Sequence, residues 1–137
     1  MTTLKKDPHH LAQATGSGSA VIHFKDIRGE VDRRAAYLDF LPKPSSFDSY
    51  VRITILREAL NQGSVLLPSD NVETVIKLGT SAWSADAGSV KCDWNEDTSH
   101  ATGTFELINS QTGETLSSGN FDVTFPDQKK RNHPRGG

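Results

Sequence analysis

Asp93, Asn95 and Asp97 stand at alternate positions in the run Asp93-Trp94-Asn95-Glu96-Asp97. Oxygen-bearing side chains at that spacing open a calcium-binding loop. Such a loop wants glycine at its sixth position and a bidentate glutamate at its twelfth, and threonine fills both places here, as Thr98 and Thr104. The alternative is a polar turn between two strands, where Asp and Asn bond their own backbone. The polar turn is the preferred reading and no cofactor is expected; calcium at Asp93, Asn95 and Asp97 is the one metal kept as an alternative. Zinc wants four converging ligands. Of the five histidines only His23 and His100 fall near strand patterns.

Nucleophilic chemistry has little to work with. Cys92 alternates with Val90 and Trp94 on one apolar face, and a buried thiol is usually inert. No G-x-S-x-G elbow runs into a helical pattern. Asp39, His23 and Asp122 lie on strand faces and would serve a hydrolase or isomerase if two of them came within hydrogen-bond reach. The aromatic residues offer more. Trp83 and Trp94, with His100, are the candidate ligand-binding residues, forming a platform for a sugar or peptide if loops carry them to one end of the fold. The alternative is that Trp94 caps the core and Trp83 covers a barrel mouth.

The elements that must position these groups are short and alternating. Val51, Ile53 and Ile55 form one face of a strand over 50–57, opposite Arg52, Thr54 and Leu56. Residues 20–27 and 35–41 alternate in the same way. In the latter Tyr37, Asp39 and Leu41 oppose Leu38 and Phe40, and Pro42 and Pro44 end the run. Short runs follow at 65–67, 72–78 and 89–94. The clearest pattern is 101–125, where Phe105 and Leu107 share one face and Phe121, Val123 and Phe125 another. The block Asn109-Ser110-Gln111-Thr112-Gly113-Glu114 between them has the Asn and Gly of a reversal. About eight short strands without a sustained helical period predict an all-β fold, an antiparallel sandwich or a flattened barrel.

At 137 residues the chain is one domain by size. Residues 1–19 read as a flexible arm ending in Thr15-Gly16-Ser17-Gly18-Ser19, residues 20–126 as the β domain, and residues 127–137 as a flexible basic tail with Lys129, Lys130, Arg131 and Arg135. A net charge of −2 provides no global field for nucleic acid or membrane, and the tail has no interleaved aromatics for stacking bases. A nucleic-acid partner is not expected. Residues 1–18 contain no apolar signal core, and no run is long enough to span a bilayer. That predicts a cytoplasmic protein, or one whose signal was removed before this numbering.

Gly103-Thr104-Phe105, Thr112-Gly113 and Gly119-Asn120-Phe121-Asp122 resemble the hairpin of small β-rich domains in bacterial cell-envelope lipoproteins. The resemblance covers residues 50–125 and implies a β-fold without implying an activity. A lipobox cysteine is absent from the start of the chain. The expected function is a non-enzymatic binding module that holds a protein or glycan partner through loops at one end of a sandwich. A calycin-like barrel around a small apolar ligand, and a small hydrolase or isomerase, are the alternatives. A final strand at a sheet edge would allow a homodimer.

Overall fold

Alternation of period two places successive side chains on opposite faces of a strand, so each alternating run turns its apolar members inward. The computed structural model describes residues 10–17, 20–44 and 46–125. Eleven strands form among them: β1 His10–Gly16, β2 Val21–His23, β3 Asp26–Val31, β4 Ala35–Leu41, β5 Tyr50–Leu56, β6 Val65–Leu66, β7 Val72–Leu78, β8 Ser81–Trp83, β9 Ala87–Asn95, β10 His100–Ile108 and β11 Thr115–Thr124. A single 3-10 turn, Arg57–Ala59, follows β5. Among the described residues no helix is long and apolar enough to cross a membrane.

The strands make two antiparallel sheets, ordered β2-β1-β11-β10-β9-β6 and β3-β4-β5-β7-β8. The sheets stay open and stack as a sandwich rather than closing into a barrel. Phe40 of the five-stranded sheet lies at the centre of the core. Its ring is 5.7 Å from Phe24, 6.0 Å from Phe105 and 5.4 Å from Phe121. These rings fill the middle of the space that a calycin-like pocket would need.

The β10–β11 hairpin is built around two glycines. Register pairs Phe105 with Gly119 and Gly103 with Phe121. Each ring covers the glycine of the opposite strand so closely that a Cβ on either would collide with it. Leu116 and Phe121 both face the core although they stand five positions apart, an odd spacing that strict alternation forbids. One extra residue in β11 at Ser117–Ser118 resolves this, shifting the register against both β10 and β1. Ser118 takes the left-handed φ of 53° that such a bulge tolerates. In the turn, Asn109 Oδ1 accepts from the backbone N–H groups of Gln111 and Thr112, and Gly113 takes φ 80°.

The free side of β9 is sealed. β6 pairs with Val90 and Ser89, and the Leu67 N–H donates to the Gly88 carbonyl. Asn61 covers the rest. Its backbone N–H donates to the Cys92 carbonyl at 2.9 Å, and its side-chain amide meets both the N–H and the carbonyl of Trp94 at 2.7 and 3.2 Å. Its φ of 63° aims the amide along the strand, a conformation Asn adopts more readily than most residues.

Several expectations change here. Residues 10–16, read as part of a flexible arm, form β1 between β11 and β2. Residues 20–27 are not one strand, because the chain leaves the first sheet after His23 and enters the second at Asp26. The charged residues 28–31 continue that second strand, β3. The final strand lies inside its sheet, so it offers no edge to a second copy. Residues 1–9 and the tail 127–137 lie outside the described residues.

Candidate functional site

The two tryptophans do not form a platform. Trp83 is buried on β8 opposite Ile76, and Trp94 is buried on β9, in the other sheet. Both alternate with outward polar or small neighbours, so strand periodicity turns them into the core. Trp94 packs on Phe125 with ring centres 6.4 Å apart, and its indole N–H donates to Glu96 Oε1 at 2.9 Å. Arg57 Nη1 donates to the same oxygen at 3.0 Å.

His100 behaves differently. It opens β10 on the outer face, and its Nε2 lies 2.5 Å from Asp122 Oδ1 on β11. Asp93, Trp94, Asn95, Glu96, His100 and Thr102 line an open depression. Of the expected ligand-binding residues, His100 and the buried Trp94 therefore line one depression, and Trp83 stays apart. Asn95 Oδ1 accepts from the Thr98 N–H at 3.2 Å, which is the bond of a polar turn. Among the described residues no three His, Cys, Asp or Glu side chains converge as a metal set.

The remaining chemical candidates are dispersed. Asp39 lies on the outer face of the five-stranded sheet, whereas Asp122 and His23 belong to the six-stranded one. Cys92 is buried, and burial pushes its thiol up to about 12.

The most distinctive surface is one the sequence reading did not single out: the outer face of the five-stranded sheet. Register aligns Arg28, Asp39, Arg52 and Val75 in one row across β3, β4, β5 and β7. Arg52 donates to Asp39 through Nε and Nη2 at 2.8 and 3.3 Å, and its guanidinium lies 5.0 Å from the Tyr50 ring centre. Hydrogen bonding to Asp39 raises the Arg52 pKa further. Arg28 donates to Asp26 through Nε and Nη2 and lies 5.5 Å from the Phe47 ring centre. The two rings are themselves 6.4 Å apart.

Phe47 comes from the β4–β5 connection and folds back over the sheet. Lys77 Nζ donates to the Asp48 carbonyl, and the Gly79 N–H donates to Ser49 Oγ, which ties that connection down. Phe47 remains 45% exposed, Val75 40% and Tyr37 37%. Outward Tyr37, Asp39 and Arg52 are readable from alternation. The return of Phe47 to meet Arg28 is a tertiary contact with no local signal. No protein-family model, curated protein or solved structure matches the chain.

Proposed function

We propose that this domain is a non-enzymatic binding module for a protein or glycan partner, held on the outer face of the five-stranded sheet and the β4–β5 loop. The observation that carries this is the pairing of aromatic rings with arginines, the exposed Phe47 under Arg28 and the half-buried Tyr50 under Arg52. Aromatic residues and arginine are the types that dominate binding energy at protein interfaces. Each guanidinium is held by a carboxylate and a ring, so little side-chain freedom remains to be lost on association. The binding needs neither a metal nor a cofactor, and moves the site from the tryptophan loops to a sheet face.

The test is binding of the full chain to arrays of immobilised peptides and glycans, compared with Phe47→Ala and Tyr50→Ala proteins of unchanged melting temperature. Loss of the wild-type signal in both variants is expected. An undiminished signal in both would contradict the assignment.

The His100–Asp122 contact favours a second function, a hydrolase or isomerase on the outer face of the six-stranded sheet, with Asp122 orienting the imidazole as a base. Ester hydrolysis by the wild type that disappears in His100→Ala would support it. Hydrolysis that His100→Ala retains would remove it.

A further inference from the structure

Building on the assignment of the five-stranded face, we propose that the segment it binds is an extended, acidic stretch of a protein partner, laid across β3, β4, β5 and β7 along the Arg28–Val75 row. Its carboxylates meet the arginines, and its apolar side chains rest on Phe47 and Val75.

The relative depth of the charges leads to this chemistry. In the Arg28–Asp26 pair the side chains are 47% and 20% exposed, and in the Arg52–Asp39 pair 44% and 24%. Both pairs are neutral in sum, yet in each the carboxylate is the more deeply set member and the guanidinium the outer one. Within this row an approaching chain meets the two guanidiniums before the carboxylates that hold them, while Glu30 and Glu73 stand in the next row of the same face and confine the positive character to the Arg28–Val75 line.

Arg52 uses Nε and Nη2 on Asp39. A guanidinium carries five N–H donors, so the two on Nη1 remain for a second carboxylate. Such charge-assisted bonds are the strong ones.

The size also fits a short strand of polypeptide. Neighbouring strands lie ~4.8 Å apart, so the row from β3 to β7 spans roughly 14 Å, the reach of four or five extended residues. Apolar anchors stand near the two ends, Phe47 beside Arg28 and Val75 on β7. The whole chain carries a net charge of −2, so recognition of an acidic segment is a local property of this face and not a long-range attraction. That also disfavours nucleic acid, whose binding rests on neutralising many phosphates.

The experiment is selection of random twelve-residue peptides displayed on phage against the full chain. The enriched peptides are then measured by fluorescence anisotropy with wild type, Arg52→Gln, Arg52→Lys and Phe47→Ala, each checked for its melting temperature. Enriched sequences with net negative charge and an aromatic or aliphatic residue are expected. Binding should weaken about tenfold or more in Arg52→Gln, the loss expected from one charge-assisted contact, with partial rescue in Arg52→Lys.

Acidic peptides whose binding survives both Arg52→Gln and Phe47→Ala would overturn the placement. Neutral or basic peptides, or glycans, whose binding Phe47→Ala abolishes would overturn the acidic partner and leave the binding face standing. Peptide and glycan binding that never depends on Phe47, Tyr50 or Arg52 would overturn both.

Discussion

The ring of Phe121 on β11 covers Gly103 on β10, its cross-strand partner, and Phe105 covers Gly119 reciprocally. This is the physical content of the Gly-Thr-Phe and Gly-Asn-Phe pattern. Two glycines remove the side chains that would hold the rings off the sheet, and the rings then reach Phe40 across the core. Phe121→Ala should destabilise the domain by about 3–5 kcal/mol in urea unfolding, as a large buried aromatic does. Gly103→Ala adds only a methyl group, yet that methyl would meet the Lys91 carbonyl as well as the ring. A loss of about 1–3 kcal/mol is expected from overpacking. A change below about 0.5 kcal/mol, the surface-site range, in either variant would contradict this packing.

Asn61 makes a second, quite different prediction. Asn61→Ala leaves the N–H and carbonyl of Trp94 without their partners, at a cost of about 1–3 kcal/mol for half-buried groups. Hydrogen exchange at the Trp94 amide should accelerate more than at Phe105 in the middle of the sheet. Equal acceleration at both would mean that Asn61 acts on global stability and not on the β9 edge.

Acid should act through the turns. Asp86 accepts hydrogen bonds from the N–H and hydroxyl of Ser110, and these hold its pKa below the ordinary value; the N–H groups of Arg34 and Ala35 do the same for Asp32. A carboxylate with a folded pKa below its unfolded value near ~3.9 contributes stability that is complete above that value and lost as pH falls through the folded pKa. Denaturant midpoints of Asp86→Asn should therefore fall less steeply than wild type below about pH 4. Parallel curves would contradict the role of Asp86.

The Cys92 thiol, pushed up to about 12 by burial beneath the sheet, should resist alkylation. Iodoacetamide at about pH 8, near the ordinary cysteine pKa, is expected to leave the native chain unmodified by mass and to add one carbamidomethyl group after unfolding. Ready modification of the native chain would contradict the buried position.

The legible part of this fold is the part written in large alternating residues. Val51, Ile53 and Ile55, the Val90-Cys92-Trp94 face and the inward Phe121 and Val123 all lie where period two places them. β1 escaped because its inward residues are Ala12 and Ala14, kept small where β1 pairs with the Phe121 strand, and small residues carry little contrast against Gln13 or Thr15. β3 escaped because its outward row Asp26, Arg28 and Glu30 is charged and its inward row includes Gly29, which lies under the Phe125 ring. The bulge at Ser117–Ser118 was implied by the odd spacing of Leu116 and Phe121. The tryptophans misled because their size marks them equally for a surface platform or a core, and only the sheet assignment decides. Phe47 meets Arg28 through a loop fold that no local spacing encodes.

The central claim is tested most directly by nuclear magnetic resonance of the labelled full chain, titrated with the tightest ligand from the peptide and glycan arrays. Amide shifts should concentrate at Arg28, Asp39, Phe47, Tyr50, Arg52 and Val75, the row and rings of the five-stranded face. Shifts that gather instead around Asp93, Asn95, His100 and Thr102 would contradict it and assign binding to the opposite sheet.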